Sequence, residues 1–260
     1  GSGTAALVFA SVNLLPYGWR ALYAIGALPL AWLLWARRRL PETKRFTTSV
    51  ARGHPLTPIV ELARAYPGRL ALIVAATIPF AFGLANAVVF FSKVLQSTHG
   101  WAPGHVAALT VTGIVAIPGM IMAGTLSDLY GRRLVLSLLI LACTASFACF
   151  YTWATGVWLV FFWLAGIFAY LSIDALVSAL SAEMFPTSHR SVASGIRVLA
   201  SSLAGSAALV LEGVLYDVFQ NHPAAIAVLI LPAPLALIPI WFLPEPARKS
   251  LEDISAERHA

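Results

Sequence analysis

Long apolar runs recur along this chain, and its charged residues are confined to the short segments between them. Hydrophobic residues make up 59% of the sequence and charged residues only 11%, whereas a soluble globular domain carries about 25% charged residues. Helices on the surface of a soluble protein also need a polar face, and most of these runs have none. The sequence therefore predicts an all-α membrane protein.

Eight of the runs approach the length of a membrane-spanning helix, which needs about 20 apolar residues. They cover residues 4–15, 19–36, 70–95, 105–126, 134–154, 157–182, 192–218 and 224–243. A polar segment, residues 37–69, separates the first two runs from the other six, and a polar tail follows residue 243. The first run is short and no signal peptide is visible, so we expect a carboxy-terminal portion of a longer protein.

Lysine and arginine are distributed unevenly between the loops that join these runs. Residues 37–69, 127–133, 183–191 and the tail hold most of them, while the loops 96–104, 155–156 and 220–223 hold none. Basic loops mark the cytoplasmic side of a membrane. We therefore expect a multi-pass protein of the bacterial inner membrane with a cytoplasmic linker and carboxy terminus. The net charge of +6 then needs no nucleic-acid partner.

Within the polar segment, residues 55–66 have the pattern of a short amphipathic helix. Leu56, Ile59, Val60 and Ala63 form an apolar face, and Glu61 and Arg64 lie opposite. This pattern predicts a helix that lies along the membrane surface.

Four loops on the basic side carry motifs that resemble those of the major facilitator superfamily. Residues 124–133 read G-T-L-S-D-L-Y-G-R-R, similar to the G-x-L-[AS]-D-x-x-G-R-[RK] signature of that superfamily. Residues 183–190 read E-M-F-P-T-S-H-R, similar to the E-x-F-P-T-x-x-R loop of sugar porters and metabolite–proton symporters. Residues 40–43 (L-P-E-T) and 243–246 (L-P-E-P) resemble the P-E-[ST] element that closes each half, although Pro246 departs from it.

This resemblance implies a partial major facilitator fold with a specific domain organisation. Residues 1–36 would be the last two helices of the amino-terminal half, 37–69 the cytoplasmic linker, 70–243 a complete six-helix carboxy-terminal bundle, and 244–260 a cytoplasmic tail. The eight predicted spans would then be the fifth to twelfth helices of a twelve-helix transporter.

The same resemblance implies secondary active transport of a small polar metabolite by alternating access. The closest similarity is to metabolite–proton symporters, which implies an organic acid or osmolyte as substrate and a proton as coupling ion. A sugar porter or a drug–proton antiporter is the alternative within the superfamily. A helical scaffold without transport activity or a membrane enzyme is the alternative outside it.

The resemblance also implies a cytoplasmic gate built from the motif residues. Its members are Asp128, Gly131, Arg132, Arg133, Glu183, Arg190 and Glu245. Gly131 would allow a tight turn, and the charged residues would pair and hold the cytoplasmic side closed in the outward-facing state. Alternatively, some of them, Arg133 and Glu245 above all, only direct membrane topology.

Charged side chains inside the spans are costly, so each is a candidate functional residue. Asp174 lies in an otherwise apolar run, and Tyr170, Asp174 and Ser178 recur at four-residue spacing on one helix face. Asp174 could bind a proton, contact a substrate, or pair with a neighbouring helix. Arg197, in the next run, could pair with Asp174, hold a substrate carboxylate, or extend to the cytoplasmic surface.

Other polar residues in the spans give weaker signals. Asn86 could contact a substrate or simply bond across helices. Glu212 and Asp217 are expected at the outer membrane interface, and the histidines are expected to be solvated because none has metal-ligand spacing. The sequence contains no nucleotide-binding loop, nucleophile elbow or metal cluster, so neither an enzyme nor a cofactor is predicted.

Overall fold

A computed structural model describes residues 17, 19–37, 57–113, 116–186 and 189–245 of the chain. The first predicted span, the L-P-E-T motif and the tail after Glu245 lie outside these residues. Throughout the described residues the regular structure is helical, which confirms the prediction of an all-α protein. The helices in chain order are α1 (Trp19–Arg37), α2 (Thr57–Ala65), α3 (Pro67–Ser97), α4 (Pro103–Thr112), α5 (Ala116–Tyr130), α6 (Arg132–Thr152), α7 (Val157–Met184), α8 (Arg190–Phe219), α9 (His222–Ile230), the 3-10 turn Ala233–Ala236, and α10 (Leu237–Phe242).

Six helical segments in the described part of the chain are long and apolar enough to cross a bilayer. They are Pro67–Ser97, Pro103–Tyr130, Arg132–Thr152, Val157–Met184, Arg190–Phe219 and His222–Phe242. These segments match the six spans predicted after the polar segment. Helix α1 coincides with the predicted span 19–36 but is not among the six, and it carries Arg20 and Arg37 near its two ends.

Many of the exposed side chains of these spans are large and apolar, as a lipid environment requires. On α8, for example, Val198, Leu203 and Val210 are 52%, 63% and 71% exposed. In the same helix the buried residues include Arg197 and Glu212. This inversion of the soluble pattern is expected where hydrocarbon replaces water as the solvent.

The described helices fall into two compact units, with α1 and α4 in one and the other helices in the second. In the second unit α3 packs against α8, α9, α10 and the 3-10 turn, and α6 packs along α7. Every candidate site residue lies in this second unit.

Helix α2 occupies the range in which the sequence predicts a surface helix. Leu62 is fully buried and Tyr66, directly after the helix, is 8% exposed, whereas Ile59 and Val60 are more than 40% exposed. An apolar face therefore remains open on α2. Its position at the membrane surface stays a prediction.

The last span is interrupted where proline is concentrated. Helix α9 ends at Ile230, Pro232 precedes the 3-10 turn, and Pro234 lies within it, because proline cannot donate the backbone bonds that continue an α-helix. Gly83 of α3 packs against this break. A Cβ added to Gly83 would lie 2.8 Å from Ala233 Cβ and 3.0 Å from Ala233 N, so the close approach requires glycine.

Replacing Gly83 with alanine should therefore lower the free energy of unfolding by about 1–3 kcal/mol, because the added methyl group overpacks the contact with Ala233. Gly213→Ala is the matched control. A Cβ at Gly213 meets nothing within 4 Å, and alanine favours a helix over glycine by up to about 1 kcal/mol. Unfolding by SDS in mixed micelles measures both variants, and equal stabilities would contradict the close packing.

Candidate functional site

Arg197 of α8 and Asp174 of α7 form an ion pair inside the membrane-spanning bundle. Arg197 Nη1 lies 3.1 Å from Asp174 Oδ1, and Nη2 donates a 2.7 Å hydrogen bond to Ser178 Oγ. The four-residue spacing places Asp174 and Ser178 on one face of α7, where a single guanidinium reaches both. Of the three alternatives for Arg197, the structure therefore shows pairing with Asp174, and the side chain does not extend to the surface.

The two partners of this pair differ strongly in exposure. The Arg197 side chain is 11% exposed and the Asp174 side chain 58%. Arg197 Nε is buried and has no hydrogen-bond partner among the described residues. The pair therefore offers an accessible carboxylate beside a buried guanidinium with one unused donor. Guanidinium groups bind carboxylates through two parallel hydrogen bonds, so an anionic ligand would have to replace Asp174 or Ser178 on Arg197.

Tyr170 and Asn86, the other predicted site residues in the spans, make contacts with neighbouring helices. The Tyr170 ring stacks on Phe80 of α3, with ring centroids 5.4 Å apart. Asn86 is fully buried and its Nδ2 donates a 2.8 Å hydrogen bond to the Ala208 carbonyl of α8. This is the cross-helix bond that the sequence left open as an alternative. In this conformation the Asn86 amide is fully buried, so a solute cannot reach it.

At the start of α6, Arg132 contacts the ends of α5 and α7, which carry predicted gate residues. Its Nη2 lies 3.0 Å from Asp128 Oδ1 and 2.6 Å from Glu183 Oε1. Its Nη1 donates a 3.2 Å hydrogen bond to Ser127 Oγ. The structure thus brings Asp128, Arg132 and Glu183 into one cluster, while their role as a gate stays a prediction.

Glu245 binds the first turn of α6 through backbone groups, which sequence reasoning did not anticipate. The backbone N–H groups of Arg132 and Arg133 donate to Glu245 Oε1 and Oε2 at 2.9 and 3.1 Å. Helix amino termini have unpaired N–H groups and a positive dipole end, so a carboxylate is stabilising there. The only signal in the sequence was an acidic residue shortly after the last span.

Gly131 provides the turn into α6 that the motif predicts. Its φ of +103° lies in a region that L residues rarely adopt. A Cβ at this position would also lie 3.5 Å from Glu245 Oε2. Glycine is therefore required both by the backbone conformation and by the approach of Glu245.

Arg190 is not part of the ion-pair cluster, contrary to the prediction. Its Nε donates a 3.1 Å hydrogen bond to the Phe185 carbonyl, and it makes no ion pair with any of the described residues. As the first residue of α8 it folds back onto the loop that precedes the helix. Arg69 of α3 binds the same loop through a 3.0 Å hydrogen bond to the Met184 carbonyl.

Glu212 and His222 form a buried pair, which corrects the expectation of a solvated His222. Glu212 is 3% exposed, and its Oε1 lies 2.6 Å from His222 Nδ1. The position of Glu212 at the outer membrane interface stays a prediction. The His222 ring is not solvated: it stacks on Tyr216 at 4.1 Å and on Phe90 at 5.4 Å between centroids. The turn between α8 and α9 places the start of α9 over the end of α8. The sequence predicts this loop, but it does not show which side chains meet across it.

The family relationship can be stated once this architecture is compared with known proteins. A family model of the Major Facilitator Superfamily matches residues 107–259, which is more than half of the 260-residue chain. The chain belongs to the major facilitator superfamily. Members of this superfamily are transporters, which agrees with the prediction that the chain is not an enzyme. It is a multi-pass membrane protein of a family that moves small molecules across the lipid bilayer, and its helices are consistent with a partial major facilitator fold.

Proposed function

We propose that this major facilitator protein transports a small organic acid or a similar polar osmolyte together with a proton, by alternating access. The observation that carries the proposal is the pairing of buried Arg197 with exposed Asp174 at membrane depth. Charged side chains in a bilayer are retained mainly where they act on a solute or an ion. This pair can act on both.

Charge neutrality links the proton to the substrate in this proposal. The Asp174–Arg197 pair is neutral when the site is empty, because each charge compensates the other. If a proton binds Asp174, the arginine charge is left without a partner, and a substrate carboxylate can replace Asp174 on the guanidinium. One proton and one monovalent anion therefore enter together without a change in net charge. Either one alone would leave an uncompensated charge, which costs several kcal/mol at a buried site.

The transporting unit in this proposal is a twelve-helix protein, in which residues 1–36 complete the first half and residues 70–243 form the second. The substrate site of such folds lies between the two halves, which fits the open side of Asp174. Residues 37–69 and 244–260 would be the cytoplasmic linker and tail. The Asp128–Arg132–Glu183 cluster would close the cytoplasmic side, with Glu245 holding the start of α6 in place.

Uptake by the complete transporter in proteoliposomes tests this function directly. Organic acids, zwitterionic osmolytes and sugars are offered with an inward proton gradient and without one. We expect a monocarboxylate or zwitterion to accumulate only with the gradient, and a protonophore to abolish the accumulation. Gradient-driven uptake of sugars alone would favour the sugar-porter alternative, and equal rates in both conditions would rule out proton symport.

A further inference from the structure

We propose that Glu212 and His222 form a second proton-binding site, which holds one proton while α3, α8 and α9 are packed together as observed. The pair lies near the carboxy-terminal end of α8, whereas the Arg132 cluster lies next to the loop that precedes this helix. A helix of 30 residues separates its ends by about 45 Å. The inference goes beyond the proposed function, because it does not depend on which solute is carried.

Charge compensation determines how many protons the buried pair holds. Glu212 is 3% exposed and its carboxylate meets the His222 ring at 2.6 Å. With one proton on the pair, the charges sum to zero. With none, a single negative charge is buried, and with two, a single positive charge is buried. Both charged states cost several kcal/mol, so the packed arrangement favours one proton.

The surrounding contacts fix His222 in reach of Glu212. Its ring stacks on Tyr216 of α8 and on Phe90 of α3. Asn221 accepts a hydrogen bond from Ala224 N at 3.4 Å and so caps the helix that begins at His222. The pair therefore joins α8 to α9, and the stacking of Phe90 on His222 also links α3 to them. A movement of α3 away from the other two helices would unstack the ring and admit water to the pair.

Other titratable groups also lie near this end of the packed helices. They are Lys93 and His99 at the end of α3, Cys149 and Tyr151 on α6, and Tyr216 and Asp217 on α8. Lys93 Nζ lies 6.0 Å from the centre of the Phe90 ring, and its charge disfavours a second proton on the pair. Tyr151 donates its hydroxyl to the Ala87 carbonyl, and Asp217 is exposed. Glu212 is the buried carboxylate of this set.

An open cavity of about 420 Å³ lies near the pair. Thr98, His99, Tyr151 and Asn221 are among its lining residues, and Asn221 directly precedes His222. A proton released from the pair therefore has a short path to solvent once the helices separate.

The proposal fixes the sign and the pH range of the resulting linkage. In a hydrated open state, an ordinary carboxylate is ionised above about pH 4.3 and an ordinary imidazole loses its proton near pH 6.5. Above about pH 6.5 the packed state thus binds one proton more than the open state, and a rise in pH favours opening. Between about pH 4.3 and pH 6.5 both states hold one proton, and the equilibrium is independent of pH. Below about pH 4.3 the open state binds a second proton, and acid again favours opening. The opening constant changes by at most about tenfold for each pH unit.

The labelling rate of a buried cysteine at this end measures the opening. Val94 of α3 is fully buried, so Val94→Cys, with Cys143 and Cys149 replaced by alanine, reports separation of α3 from its neighbours. The complete transporter in nanodiscs is labelled with a maleimide across the pH range. We expect the logarithm of the rate, corrected for ionisation of the cysteine thiol, to rise with a slope approaching about 1 above pH 6.5. Between about pH 4.3 and pH 6.5 we expect a flat response.

Two substitutions of the pair separate the proposal from a merely structural contact. Glu212→Gln removes the buried negative charge, so the rate should no longer rise above about pH 6.5. Below that value it should instead rise as the pH falls, because the buried His222 ring then has no carboxylate to compensate a bound proton. His222→Gln leaves the carboxylate to hold the proton alone, so the sloping range should extend down to about pH 4.3. The exposed controls Asp217→Asn and His105→Gln should behave as the parent. A Glu212→Gln variant that retains the parental slope would overturn the proposal, as would a parent with no slope. The labelling needs no solute and no gradient, so its outcome is independent of the uptake experiment.

Discussion

The Asp174→Asn variant should exchange substrate across the membrane but fail to accumulate it. With one proton per anion, each unit of pH gradient supplies about 1.4 kcal/mol, which is enough for about tenfold accumulation. Asparagine accommodates the space of aspartate and can accept a hydrogen bond from Arg197, but it binds no proton. Arg197 then keeps its positive charge permanently available to the substrate carboxylate. Exchange therefore persists, while the gradient has no group on which to act.

Counterflow and gradient-driven uptake, measured on the same proteoliposomes, separate the possible roles of Asp174. Loss of both activities would indicate that the carboxylate only contacts the substrate or holds α7 against α8. Normal accumulation in the variant would exclude Asp174 as the coupling group. Asp217→Asn is a suitable control, because Asp217 is an exposed carboxylate on α8 and its removal should leave both activities unchanged.

The spans could be predicted from the sequence because the bilayer acts as a uniform solvent with a fixed thickness. Any apolar run of sufficient length becomes a helix that satisfies its own backbone bonds. The six predicted runs after the polar segment therefore match the observed segments within a few residues at each end. The Asp174–Arg197 contact was accessible for a similar reason, since two opposite charges at corresponding depth on consecutive spans stabilise each other strongly.

Contacts that depend on the conformation of the turns between helices could not be predicted from the sequence. The contact of Glu212 on α8 with His222 was not predicted, because the side chains that meet across a turn depend on the backbone conformation of that turn. The turn at Gln220, which has a left-handed conformation, brings His222 back over that helix and closes the pair. Glu245 was identified only as part of a motif, because a carboxylate that caps a helix distant in sequence leaves no local pattern. The expectation for Arg190 failed because its side chain binds the backbone carbonyl of Phe185 instead of a carboxylate. A bond to a backbone carbonyl also leaves no local pattern in the sequence.

The gate residues are expected to differ in importance, and burial determines their order. Arg132 Nη2 bonds both Glu183 and Asp128, but the Glu183 side chain is 20% exposed and that of Asp128 is 65% exposed. A hydrogen bond between charged groups that are partly buried contributes about 1.5–3 kcal/mol, whereas an exposed ion pair contributes about 0–1 kcal/mol. Glu183→Gln should therefore shift the transporter toward the inward-open state by roughly 10- to 100-fold. Asp128→Asn should shift it by less than about fivefold.

Labelling of a cysteine at position 181 measures this shift. Ser181 of α7 is 1% exposed, and its hydroxyl has no hydrogen-bond partner within the described residues, so Ser181→Cys changes little until the cytoplasmic side opens. Glu61→Gln, at an exposed position of α2, is the control and should leave the labelling rate unchanged. If Asp128→Asn had the larger effect, closure of the cytoplasmic side would depend on an interaction of Asp128 that is absent from this conformation. If neither variant changed the rate, the cluster would serve only to direct topology and stabilise the loops.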